Sequence, residues 1–161
     1  MRTSTALLPL AVASLVAAGC GSSSSSNKTT SGATTATPSG GAKVKPKTYK
    51  VKLAGKNEVP AGAPTGSGTA VISVKAKTNQ LCWKFSNLQG VTAPKLAHIH
   101  QGAAGAAGPV VIPLSTAAQF KSSGCAPAAA GLLAQIEANP KGYYVNIHNA
   151  KYPGGVVRAQ L

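Results

Sequence analysis

The chain has 161 residues, of which 16 are Lys or Arg and 2 are Glu, giving a formal net charge of +14. With only Glu58 and Glu137 and no aspartate, it cannot build a Ser-His-Asp triad or an aspartic dyad, and it has too few carboxylates for calcium loops or Walker-type magnesium sites. A two-carboxylate glycosidase would need both glutamates, and Glu137 lies in a bland helical stretch.

Residues 1–19 have the form of an export signal. Arg2 supplies a positive start, and Ala6 to Ala18 is an apolar run broken only by Pro9 and Ser14. The run is shorter than the roughly 20 apolar residues a bilayer span needs. It ends in Ala17-Ala18-Gly19-Cys20, which resembles a bacterial lipobox, although Leu is commoner than Ala three residues before the cysteine. The resemblance implies cleavage before Cys20, acylation of that cysteine (palmitate-type chains), and anchoring on the extracytoplasmic face of the cell membrane. An ordinary secretory signal with an incidental cysteine is the alternative.

Residues 20–47 continue as a Ser/Thr/Gly/Ala linker with a basic end, a composition expected to stay disordered. About 25 such residues reach roughly 25–30 Å. With Cys20 acylated, Cys82 and Cys125 remain as one pair, and export permits a disulfide between them. Two free buried thiols are the alternative.

Residues 48–161 carry a period of two, as half-buried strands do. Tyr49, Val51 and Leu53 alternate with Lys50 and Lys52. Ala70, Ile72 and Val74 form the next apolar row, and Leu81, Trp83 and Phe85 the third. Lys77-Thr78-Asn79 reads as the hairpin turn between those two. Further strands are expected at Leu96–Gln101, Pro109–Leu114, Tyr143–His148 and Val156–Leu161. Ala128 to Ala138 reads as one short helix over an end or edge of the sheet, with Pro127 at its start and Asn139-Pro140 stopping it. The fold class is therefore all-β, an antiparallel sandwich or barrel with one short helix.

A series of motifs runs through this part of the chain: Asn57-Glu58-Val59-Pro60, Ala97-His98-Ile99-His100-Gln101-Gly102, Gly108 to Leu114, Gly142 to His148, and Tyr152 to Leu161. In this order they resemble the chordin-type (CHRD) domain family over essentially the whole folded part. The resemblance implies an immunoglobulin-like barrel, distantly similar to that of copper–zinc superoxide dismutase, and no settled molecular activity. The family usually has Gly-Glu-Ile-Arg-Gly-Gln near its end. Here the stretch reads Gly155-Val156-Val157-Arg158-Ala159-Gln160, so Val156 replaces the glutamate.

All three histidines fall in these motifs. His98 and His100 project to one face of a strand, and His148 shares a face with Tyr144 and Asn146. Two His at i and i+2 plus one from another strand suit a three-nitrogen site for copper or zinc. No Asp or fourth His completes a dismutase-type bimetallic centre. The same residues also suit a hydrogen-bonded polar seam inside the barrel. Arg158, the only arginine after the signal, is expected either to pair with Glu58 or to clamp backbone.

Lys43, Lys45, Lys47, Lys50 and Lys52 form a basic run suited to lipid headgroups or anionic wall polymers. Lysine alone, with 4% aromatic residues, lacks the readout and stacking elements of a nucleic-acid binder. No nucleophile–base–orienter set can be assembled. The expectation is a non-enzymatic, membrane-anchored binding or structural domain, with three-His metal binding as the alternative.

Overall fold

The structure, a computed structural model, describes residues 45–116 and 119–161. The signal, Cys20 and Lys43 lie outside them. Eight strands and one α-helix follow in order: β1 (Lys47–Ala54), β2 (Ser67–Lys75), β3 (Gln80–Gln89), β4 (Leu96–Gln101), β5 (Val110–Ser115), β6 (Ser123–Pro127), α1 (Ala130–Ala138), β7 (Tyr143–His148) and β8 (Val157–Gln160). They form one antiparallel sheet in the order β5-β4-β7-β8-β1-β2-β3-β6. Its two edge strands, β5 and β6, return into contact, so the sheet is a nearly closed barrel.

The alternation in the sequence is what fills the barrel. Ala70, Ile72 and Val74 of β2 and Leu81, Trp83 and Phe85 of β3 all point into the buried core. So do Ala97 and Ile99 of β4, Val145 and Ile147 of β7, and Val157 and Ala159 of β8. Gly124 of β6 leaves room for Trp83: a Cβ there would lie 2.7 Å from the indole Cη2. Val156, which stands where the family pattern has glutamate, is fully buried among these apolar residues. A carboxylate at that position would be desolvated.

Between hydrogen-bonded neighbours of the sheet, the pairing is narrowest at one seam. β1 and β8 are joined by the single pair Ala54↔Arg158. The loop from Gly55 to Gly66 reinforces it, with the amide of Ala63 donating to Val156 O at 3.0 Å and the side-chain amide of Asn57 donating to Arg158 O at 3.3 Å.

Two sequence expectations need correction. β6 was not anticipated, because Ser-Gly-Cys-Ala-Pro has no apolar alternation. It is a strand through its pairing with β3, in which Cys82 stands directly opposite Cys125. Pro127 ends that strand rather than opening the helix, which begins at Ala130. The hairpin turn expected at Lys77-Thr78-Asn79 is present, as a 3-10 turn over Ala76–Thr78 closed by Asn79 in the left-handed region, φ 50°, a conformation asparagine tolerates. The helix does cover one end of the barrel: Leu133 and Ile136 are fully buried, and Tyr49 Oη donates to Ile136 O at 3.4 Å. Cys82 and Cys125 form a disulfide.

Candidate functional site

β4, β7 and β8 turn their second face away from the apolar core. Strand alternation puts His98 and His100, Tyr144, Asn146 and His148, and Arg158 and Gln160 on that face. The register sets His98 opposite Asn146, His100 opposite Tyr144, Leu96 opposite His148, and Asn146 opposite Arg158. The polar residues therefore do form a seam, but outside the barrel interior rather than within it. Three loops roof it, residues 55–66, 102–109 and 149–156, and all six residues of β7 are buried.

Backbone carbonyls from those loops fix the imidazoles. His100 Nδ1 donates to Gly108 O at 2.8 Å and His148 Nδ1 donates to Pro153 O at 2.9 Å. A carbonyl can only accept, so each Nδ1 carries the proton and each neutral ring turns an Nε2 lone pair inward. His148 Nε2 lies 3.0 Å from His98 Nδ1 and 2.9 Å from Asn146 Oδ1. His100 Nε2 is buried and has no hydrogen-bond partner among the described residues. One nitrogen from each of the three histidines lies within 4.8 Å of the other two. Ligands of one tetrahedral ion stand about 3.4 Å apart, given metal–nitrogen distances of about 2.0–2.1 Å, so small rotations close the set.

Burial favours the neutral form of His98 and His148. Burial, then the neighbouring His148 and His100, push His98 down to about 4. His148 is also lowered, by burial foremost and by His100, against the raising effect of its Pro153 hydrogen bond. Neutral imidazole is the form that ligates a metal.

Arg158 is 2% exposed and does not hydrogen-bond the carboxylate of Glu58. Its Nη1 donates to Ala106 O at 2.9 Å and its Nη2 to Ala103 O at 2.8 Å, so it clamps the loop after β4. Its guanidinium carbon sits 3.3 Å from the centre of the Tyr144 ring, whose other neighbour is the His100 ring at 4.7 Å, nearly parallel. Arginine, tyrosine and histidine thus form one stack beside the cluster. Arg158 lowers the Glu58 pKa as a nearby charge only. Burial dominates, and raises the carboxyl to about 7. Glu58 is pressed against Gly155, φ +145°, where any Cβ would fall 2.1 Å from a carboxylate oxygen.

Gln160 is a functional neighbour that the sequence did not single out. Its amide donates to Gly102 O, Lys141 O and Tyr143 O at 2.7–2.8 Å and ties the loop after β4 to the turn before β7. Its alternation with Arg158 in the terminal motif was the available signal.

The four described lysines of the basic run do not share one face. Lys47 Nζ donates to Glu137 O at 2.5 Å, at the end of α1. Lys50 and Lys52 are exposed on the outward side of β1, and Lys45 is exposed just before it.

The nearly closed antiparallel barrel with a loop-roofed polar cluster outside its core supports a binding or structural domain. Residues 49–161 match the CHRD domain family, and the chain belongs to it. Comparison with curated proteins and with solved structures finds no match.

Proposed function

We propose that this chain is an exported, lipid-anchored CHRD domain that binds a single copper or zinc ion through His98 Nδ1, His100 Nε2 and His148 Nε2, without itself being an enzyme. The observation that carries the proposal is the orphaned Nε2 of His100. A buried nitrogen lone pair without a donor is costly, and this one belongs to a ring that has a nitrogen within 4.8 Å of a nitrogen of each of the other two histidines. A cation would satisfy it. Asn146 Oδ1 offers an oxygen donor beside His148 Nε2. The Gly108 and Pro153 carbonyls supply the outer hydrogen bonds that orient metal-ligating histidines. An all-imidazole set suits copper or zinc over magnesium or calcium.

The anchoring half of the proposal is supported by the lipobox-like Ala17-Ala18-Gly19-Cys20 and the linker after it. Mass spectrometry of the envelope-extracted protein tests it, with an acylated N-terminal Cys20 peptide expected. Metal analysis and titration with Cu(II) and Zn(II) test the site. One equivalent bound tighter than micromolar, and lost in His98→Ala, is expected. Wild-type protein that binds neither ion at that level would leave the cluster as a purely structural network.

A further inference from the structure

We propose that the outward face of β1, β2 and β3 docks on an anionic phospholipid bilayer, a contact that rests on the anchored reading above and lies apart from the histidine cluster. The strand register builds this face. Lys50 stands opposite Val71, which stands opposite Lys84, making one row across three strands. Lys52, Thr69 and Ser86 make the next row, and Thr48, Ser73 and Cys82 the one before. Lys50, Lys52 and Lys84 are exposed, and the residues between them are short. The ammonium groups therefore stand above an otherwise low surface.

No carboxylate opposes them. The chain's two acids are Glu58, buried beneath the loops beside Gly155, and Glu137, in α1. Sheet geometry sets Lys50 about 10 Å from Lys84 and about 7 Å from Lys52, by Cα position. That spacing matches several separate headgroups, not one shared phosphate. Lysine is a hydrated point charge without the fork that grips a particular phosphate, so the face suits a diffuse charged plane over a small ligand.

The same strand receives the N-terminal linker. A domain held within roughly 25–30 Å of a bilayer meets it at high effective concentration. Near an anionic surface each lysine multiplies partitioning about fivefold, so three give about a hundredfold. The attraction falls off over a Debye length of about 8 Å at physiological salt.

The test uses the lipidated chain reconstituted into vesicles of phosphatidylcholine alone or mixed with phosphatidylglycerol. Flotation reports the anchor, and lysine acetylation read by mass spectrometry reports docking. Acetylation of Lys50, Lys52 and Lys84 is expected to slow about fivefold in the anionic vesicles and to recover at high salt. The exposed Lys141 and Lys151 should label equally in both. The variant Lys52→Glu alters an exposed position only and should reduce the lipid-dependent protection that remains at Lys50 and Lys84. Flotation with both lipids but equal labelling would overturn docking and leave the anchor intact. Absence of flotation on neutral vesicles would remove the anchor, and lipid-dependent protection would then decide docking alone. Protection that arises only on adding a soluble anionic wall polymer would also overturn the bilayer as partner.

Discussion

His98 and His148, 50 residues apart in the chain, hold Nδ1 and Nε2 at 3.0 Å from each other. Without a cation, one ring must donate to the other. His98 Nδ1 is the donor, because neutral His148 keeps its proton on Nδ1, where it is donated to the Pro153 carbonyl, and has only a lone pair on Nε2. A metal ion would displace the shared proton and bind both nitrogens, so the contact is the place where ion and proton compete.

His100→Phe separates ligation from packing. The ring remains stacked on Tyr144 and only the nitrogens are lost. Removing an outer-sphere partner typically costs 10–100-fold in metal affinity, so loss of a ligand should cost at least about 100-fold. The metal-free protein should lose only about 1 kcal/mol, for the Gly108 hydrogen bond. Isothermal titration and thermal melts of the same sample check both numbers. Undiminished affinity would remove His100 from the site.

His98 should resist protonation more than an ordinary histidine does. A free imidazole gains its proton near 6.5, whereas His98 does so only at about 4. The part of the acid sensitivity that comes from His98 is therefore expected only as pH falls toward 4, as followed by copper absorbance in wild type against His98→Ala. The metal-free fold carries the matching linkage. Between 6.5 and 4 the unfolded chain binds the proton that folded His98 refuses, so acid destabilises the fold in that window.

Glu58 has the opposite sign. Its folded value of about 7 lies above its ordinary 4.5, so the native state keeps a proton that the unfolded chain has released. Stability from this group is present below pH 4.5 and is lost as pH rises through about 7. Glu58→Gln should melt like wild type at pH 5 and be more stable at pH 8, by on the order of 1–3 kcal/mol. Equal stability of the two proteins at pH 8 would mean that the carboxylate ionises without cost.

Arg158→Lys tests the clamp. Lysine keeps the charge but cannot reach the Ala103 and Ala106 carbonyls while lying flat on Tyr144. A loss of about 2–3 kcal/mol is expected, with faster amide exchange in the loop after β4. An unchanged unfolding midpoint would show the clamp to be idle.

The histidine positions were legible because a period of two assigns faces without reference to partners. His98 with His100, and His148 with Asn146 and Tyr144, followed from alternation alone. Glu58 and Arg158 were linked only by scarcity. The tertiary fold instead gives the arginine two carbonyls, and leaves the glutamate oxygen Oε1 without a hydrogen bond.

Composition and pattern by themselves determined the all-β class, the positions of most strands, the helix and the carboxylate poverty that excludes the enzyme types named above. These are local properties: each depends on neighbouring side chains or simple counts. Only the tertiary structure decided that the polar row lies outside the core, that Gly108 and Pro153 fix the imidazole tautomers, and that Lys84 joins Lys50 and Lys52. Those facts rest on register between strands distant in sequence and on how loops fold back over them. Alternation says that a strand has two faces, but long-range packing chooses which face is dry and what covers the other.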